Sequence, residues 1–424
     1  MNITLTLRIL GALLLFLAIA LLFPVPFSWF YGDGAAGAFF LSAIISAGCG
    51  GLLYSQFRSG ADLSVREGFA VVTFGWTFFA LFGALPFFFS GAIPSYLNAF
   101  FETMSGFTTT GSTILTDIEA MPPSLLLWRS LTQWLGGMGI IVLSLAILPM
   151  LGVGGMQLFK AEVPGPTADR LKPRIQDTAK LLWGVYVLLT GAEVILLMVG
   201  GMGFFDGINH AFTTMATGGF STRNASVAAY DSAFLDWVIT LFMFLAGVNF
   251  SLHYLALRGK LGDFIRNEEF LFFSGLAMLG TLLIALLNTG GTYADFFDNL
   301  RYSAFQVVSI LTTTGFGTAD YELWPVLCQY LLVFAMFIGG CAGSTGGGMK
   351  VARILLLFKH AHVQIYRLIH PRAVRLVKLG DRPVAKDVMQ SILGFFAVYL
   401  GVFVAASFIM AGVGMDLTSA SASV

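Results

Sequence analysis

Charge is the scarcest commodity in this chain. Of its 424 residues only 11% are Asp, Glu, Lys or Arg and 57% are hydrophobic, against roughly 25% and 45–50% in globular domains. So much apolar side chain excludes an ordinary soluble protein, because no water-facing domain covers it. An excess of one sign is also missing: 23 basic residues balance 23 acidic ones, which removes the basic bias that nucleic-acid binding needs. Cysteine is nearly absent. Cys49, Cys328 and Cys341 are scattered and odd in number, so they make neither a disulfide framework nor a zinc site and read as small core hydrophobes. The five histidines, His210, His253, His360, His362 and His370, have no metal-ligand spacing and read as solvated surface. Neither His-Glu-x-x-His nor Gly-x-Ser-x-Gly occurs, and no paired carboxylates fall within apolar stretches, so the chain is not expected to be an enzyme or to carry an organic cofactor.

What is abundant is long apolar sequence. Stretches near the length of a spanning helix fall at 9–30, 37–56, 68–90, 126–150, 181–203, 233–257, 269–289, 325–357 and 388–412, which predicts an all-α polytopic membrane protein. Residues 9–30 follow a single basic residue, Arg8, without a small-residue cleavage site, and read as a first span rather than a removed leader. With a cytoplasmic N-terminus, 20 of the 23 basic residues fall on the cytoplasmic side and only Arg129, Arg223 and Arg301 do not. That asymmetry sets the expected orientation.

The outer connections at 91–125, 204–232, 290–324 and from 413 onward are themselves moderately apolar and read as re-entrant segments. Non-helical chain at membrane depth survives only where it lines a cavity or is buried in protein. Three of them carry one theme, a short helix running into Thr and Gly: Phe107-Thr108-Thr109-Thr110-Gly111-Ser112-Thr113, then Thr217-Gly218-Gly219-Phe220-Ser221-Thr222, then Thr312-Thr313-Thr314-Gly315-Phe316-Gly317. A repeat of this kind implies a recurring structural unit. The expected division is two extra N-terminal helices at 1–60, pore units at 61–158, 159–262 and 263–365, and a cytoplasmic linker with the start of an incomplete fourth unit at 366–424. A dehydrated alkali cation needs its water oxygens replaced, and a ring of backbone carbonyls does this. Glycine lets such carbonyls turn inward, and threonine hydroxyls brace the loop. The helix before each loop would aim its negative C-terminal end at the ion. Outer acids, among them Glu102, Glu119, Asp206 and Asp298, would concentrate cations at the mouth.

These three motifs resemble the selectivity loops of the Trk/Ktr/HKT superfamily of potassium transporters, most closely its TrkH-type subunits. Trp128-Arg129-Ser130-Leu131-Thr132-Gln133-Trp134-Leu135-Gly136-Gly137-Met138-Gly139 is similar to the family's first inner helix, and Asn249-Phe250-Ser251-Leu252-His253-Tyr254 to a second-repeat element. The resemblance implies a pseudo-fourfold, potassium-channel-like arrangement in a bacterial inner membrane. It places a potassium-binding filter at Thr109, Thr110, Gly111, Thr217, Gly218, Gly219, Thr313, Thr314, Gly315 and Phe316, with the ion at Thr110, Gly111, Thr217, Gly218, Thr313, Thr314 and Gly315. The fourth filter loop is not found before Val424, so the fourth unit reads as truncated. By the same resemblance the chain is expected to form a homodimer and to work with a cytosolic nucleotide-binding subunit of the TrkA type, besides membrane lipid.

Six glycines within Ile338–Gly348 interrupt the span at 325–357, since each costs roughly 1 kcal/mol in a helix relative to Ala. The resemblance makes Gly343, Ser344, Thr345, Gly346, Gly347 and Gly348 an intramembrane gate. A phosphate loop is disfavoured because Gly-Lys-Ser/Thr is missing, while close helix packing through small residues stays open. Glu193, inside the fifth span, reads either as a functional carboxyl or as a hydrogen-bonded structural one. The competing functional reading is a cation-coupled secondary transporter with discontinuous helices.

Overall fold

Apolar stretches without interior breakers become uninterrupted helices, and the breaks fall at proline and glycine. The computed structural model describes residues 2–57, 65–139, 175–289, 293, 295–373, 375–380 and 382–424. The end of the expected fourth span, the boundary near residue 158, and Arg58, Lys160, Arg170, Lys172 and Arg174 of the charge count lie outside these. The first two spans are α1 (Ile3–Ala20), α2 (Val25–Tyr31, broken from α1 ahead of Pro24) and α3 (Ala36–Gln56). Two glycines let α1 and α3 touch at the backbone, where a Cβ on Gly11 would lie 2.8 Å from the Gly50 carbonyl oxygen. Small residues at such a crossing let helices in lipid gain packing contact.

The chain continues through α4 (Val65–Gly83), α5 (Leu85–Phe89), α6 (Tyr96–Phe107), α7 (Pro123–Met138), α8 (Ile175–Val199), α9 (Phe204–Met215), α10 (Ala233–Ala246), α11 (Phe250–Leu257), α12 (Gly262–Arg266), α13 (Glu268–Asn288), α14 (Phe296–Leu311), α15 (Val326–Ile338), α16 (Val351–Ile369), α17 (Lys386–Gly412) and α18 (Leu417–Ala422). A two-residue hairpin, β1 (Lys378–Leu379) with β2 (Arg382–Pro383), is the only sheet among the described residues. The fold is all-α. Six helical spans among the described residues are long and apolar enough to cross a membrane, or seven with the bent pair α10 and α11. Large apolar side chains such as Ile195, Met278, Val402 and Phe408 stay exposed on them, as surfaces solvated by lipid do.

Of the nine expected spans, 126–150 is described only as far as 139, and two others are not straight. The stretch 233–257 turns through 103° between α10 and α11. Gly247 closes α10, and Asn249 begins α11 by accepting from the Ser251 N–H at 2.8 Å. The stretch 325–357 is open between α15 and α16, as its glycines lead one to expect. The two breaks satisfy each other: Cys341 N–H donates to Gly247 O at 2.8 Å, Thr345 N–H to Ala246 O at 3.4 Å, and Phe250 N–H to Gly343 O at 3.0 Å. Buried backbone groups released by one break are thereby paired by the other.

At the centre lies α7, buried along nearly its whole length. Trp128 on it donates to the Gly83 carbonyl at 2.9 Å and meets Phe39 and Phe107 edge-on. That packing seats α6 against α7 and positions the loop that follows.

Candidate functional site

The ends of α6, α9 and α14 share one backbone design. A threonine comes first, with φ of 53° at Thr109, 51° at Thr217 and 62° at Thr313, and two residues later a glycine, with φ of 80° at Gly111, 75° at Gly219 and 88° at Gly315. The residue between them donates back to the helix: Thr110 N–H to Ser105 O at 2.9 Å, Gly218 N–H to Thr213 O at 2.9 Å, Thr314 N–H to Ser309 O at 2.8 Å. Left-handed threonines cost energy that only an over-determined surrounding holds in place. The same strain occurs at the end of three different helices.

The loops also interlock in sequence. A Cβ on Gly111 would lie 2.2 Å from Gly218 O, and one on Gly219 would lie 2.0 Å from Thr314 O. Equivalent atoms meet, so loop 1 leans on loop 2 as loop 2 leans on loop 3. Gly315 borders a cavity of about 320 Å³ whose lining includes Thr110, Thr313, Thr314, Tyr399 and Ser421. Loops 1 and 3 thus share one cavity, and loop 2 joins them through its contacts with Gly111 and Thr314.

Nine residues before each glycine stands a buried polar side chain that ties the helix to the chain leaving the loop. In loop 1, Glu102 accepts from Thr113 Oγ1 at 2.9 Å and from Ile114 N–H at 3.0 Å. In loop 2, His210 Nε2 and Ser221 Oγ lie 3.0 Å apart, and in loop 3 Gln306 Nε2 donates to Ala319 O at 3.1 Å. Glu102 is further paired with Arg129 of α7 at 2.6 Å, both fully buried. The same guanidinium donates to Ser221 O at 3.0 Å and sits 3.5 Å over the Phe220 ring, so one cation braces two loops. Two carbonyls of the set already have donors: Gly218 O accepts from Gln133 Nε2 at 2.7 Å, and Phe316 O from Ser309 Oγ at 2.8 Å. The Phe316 side chain is buried, its ring centroid 5.8 Å from that of His210.

The glycine-rich segment lies against loop 3 and the end of α9. Gly347 N–H donates to Thr313 Oγ1 at 2.6 Å, Thr345 Oγ1 to Met215 O at 3.0 Å, and Lys350 Nζ to Gly346 O. Ala342 N–H is taken by Glu269 Oε1 at 2.6 Å. Gly343 and Gly348 hold positive φ, at 75° and 71°. The whole interval 339–350 is non-helical, so it is a folded loop and not a helix packed through small residues.

The TrkH family model, described as cation transport protein, matches residues 36–421. This chain belongs to the TrkH family. It is 43% identical to the Trk system potassium uptake protein TrkH of Salmonella typhimurium over 98% of this chain and 87% of the relative. To the Trk system potassium uptake protein TrkG of Escherichia coli it is 35% identical over 98% and 86%. The crystal structure of the potassium transporter TrkH from Vibrio parahaemolyticus is similar with a TM-score of 0.90 and 38% identity, over 99% of this chain and 88% of that one. The family is one of membrane transporters, not of enzymes.

Several residues of this TrkH-family chain sit otherwise than the sequence led one to expect. Glu102, Asp206 and Asp298 are not free mouth acids: each pairs with a cation, Arg129, Arg223 and Arg301 respectively. Their counterions are the three basic residues that fell outside the expected cytoplasmic set. His210 and His253 are buried rather than solvated; His253 Nε2 lies 2.8 Å from Leu245 O and caps the end of α10. Glu193 is fully buried beside Thr214, whose hydroxyl donates to His210 O at 2.7 Å. Glu102, Arg129, Gln133 and His210 as loop braces escaped notice. Their signal was available in the fixed nine-residue offset from each glycine, and in two polar residues one turn apart on an otherwise buried helix.

Proposed function

We propose that this chain takes up potassium across a bacterial inner membrane through an ion pathway formed by its three threonine–glycine loops. The supporting observation is the successive contact of equivalent atoms, Gly111 on Gly218 and Gly219 on Thr314. Three units so related would present the carbonyls of residues 109–111, 217–219 and 313–315 to one axis, where oxygens replace the water of a dehydrated cation. Potassium is the proposed cargo because the relatives are named potassium uptake proteins. Helices α6, α9 and α14 all end at the loops, so their partial negative ends add to the attraction. Gly218 O is held by Gln133 and Phe316 O by Ser309, and both bonds brace the ring.

Residues 343–348 act as the barrier under this reading. They lie directly against Thr313 and Met215, where a chain in the path blocks it, and moving them aside would open it. The units proposed are 61–158, 159–262 and 263–365, after two N-terminal helices with a cytoplasmic start. A homodimer and a cytosolic nucleotide-binding subunit of TrkA type, meeting the basic stretch from Lys359 to Lys386, complete the proposal. The test is rubidium uptake into proteoliposomes with excess sodium as competitor. Uptake that sodium leaves intact supports the reading; uptake that sodium abolishes, or none in well-folded protein, ends it.

A further inference from the structure

Loop 2 breaks the pattern of its neighbours, and the break has a physical occupant. Loops 1 and 3 each carry a pair of threonines two residues apart whose hydroxyls bond to each other, Thr108 with Thr110 at 2.8 Å and Thr312 with Thr314 at 2.7 Å. Loop 2 has Ala216 and Gly218 at those places. Gly218 is not among the positive-φ residues, so its backbone has no need of glycine. What excludes a side chain is α7: a Cβ on Gly218 would lie 2.4 Å from Gln133 Cδ. Gln133 is fully buried, donates to Gly218 O at 2.7 Å and accepts from Phe220 N–H at 3.1 Å. It could yield only by giving up both bonds, each leaving a buried polar group unpaired.

We infer that Gln133 is a positioning residue for ion selection: its amide replaces the missing threonine pair of loop 2 and sets the spacing of loop 2 from loop 1. The spacing follows because the carbonyl it holds, Gly218 O, is the atom against which Gly111 rests. An amide bonded at both ends holds a carbonyl more stiffly than packing alone, and selection between cations of different radius depends on how firmly ligand oxygens are spaced. This rests on the reading of the loops as the ion pathway.

The experiment compares rubidium and sodium uptake in proteoliposomes for Gln133→Met, which keeps the volume and removes both bonds, with Gly315→Ser as the control for the pathway itself. The expected result is a fall in the rubidium-to-sodium ratio of about fivefold for Gln133→Met, what one net hydrogen bond is worth. An unchanged ratio with Gln133→Met while Gly315→Ser lowers it overturns the role of Gln133 and leaves the pathway standing. An unchanged ratio in both overturns the pathway and this role with it. Should Gln133→Met not fold, the pair Gly218→Thr and Gly218→Thr with Gln133→Ala decides. The single change is expected to lose selective uptake and the double change to regain it; a Gly218→Thr protein as selective as the parent contradicts the proposal.

Discussion

Two non-helical regions rich in glycine touch at Thr313 and Gly347, and they are held by different partners. The loops are pinned by side chains from elsewhere: Arg129 and Gln133 from α7, with Glu102, His210 and Gln306 from the helices that precede them. The segment 339–350 is held by backbone hydrogen bonds to the break in α10 and α11, by the side chains of Glu269 and Thr313, and by its own Thr345 and Lys350. The contrast teaches what glycine content alone does not. Glycine permits a shape, and the neighbours decide whether that shape is rigid or free to change.

The largest effect should come from the rigid side. Arg129→Leu strands the Glu102 carboxylate in the interior, and breaking such a buried pair costs about 3–5 kcal/mol. Thermal unfolding in detergent should show it, and a loss under about 1 kcal/mol would mean that the ion pair is not what braces the loops. Next come the glycines. Gly219→Ser meets both a left-handed backbone and the Thr314 carbonyl, whereas Gly315→Ser meets strain of about 1–2 kcal/mol with open space beyond it. Uptake should vanish in the first and persist with reduced potassium preference in the second; equal behaviour would show that the interlock between loops does not matter.

In the segment 339–350, Glu269→Ala removes the acceptor for Ala342 N–H, at a cost of about 1–3 kcal/mol, and, if the segment is the proposed barrier, should raise basal rubidium flux while the selectivity ratio stays put. Shortening 343–348 should act in the same direction, and unchanged flux from a folded variant would remove the barrier role. The smallest effect belongs to the half-exposed pair of Lys359 with Glu268. Lys359→Ala should change stability by no more than about 1 kcal/mol and leave selectivity untouched.

Much of the fold is legible in the sequence. The apolar runs located the helices, and the Thr–Gly motifs fell at residues that adopt one shared backbone. The six glycines after Ile338 marked a true break. The bend at Gly247-Val248-Asn249 was not legible, because one glycine in an apolar run signals little until its released carbonyls find partners, and those partners are about a hundred residues further on. The outer acids misled for a related reason: Glu102 and Arg129 are 27 residues apart and cancel only when α6 packs on α7.

By itself the sequence determined the solvent, the helices and the places where helix must stop, since hydropathy, length and glycine content act over one or two turns of chain. Only the tertiary structure decided which strained loops interlock, which charges are neutralised and which amide stands in for a missing hydroxyl pair. Those are contacts between residues far apart in the chain, and the low dielectric around them makes each buried partner count far more than its place in the sequence shows.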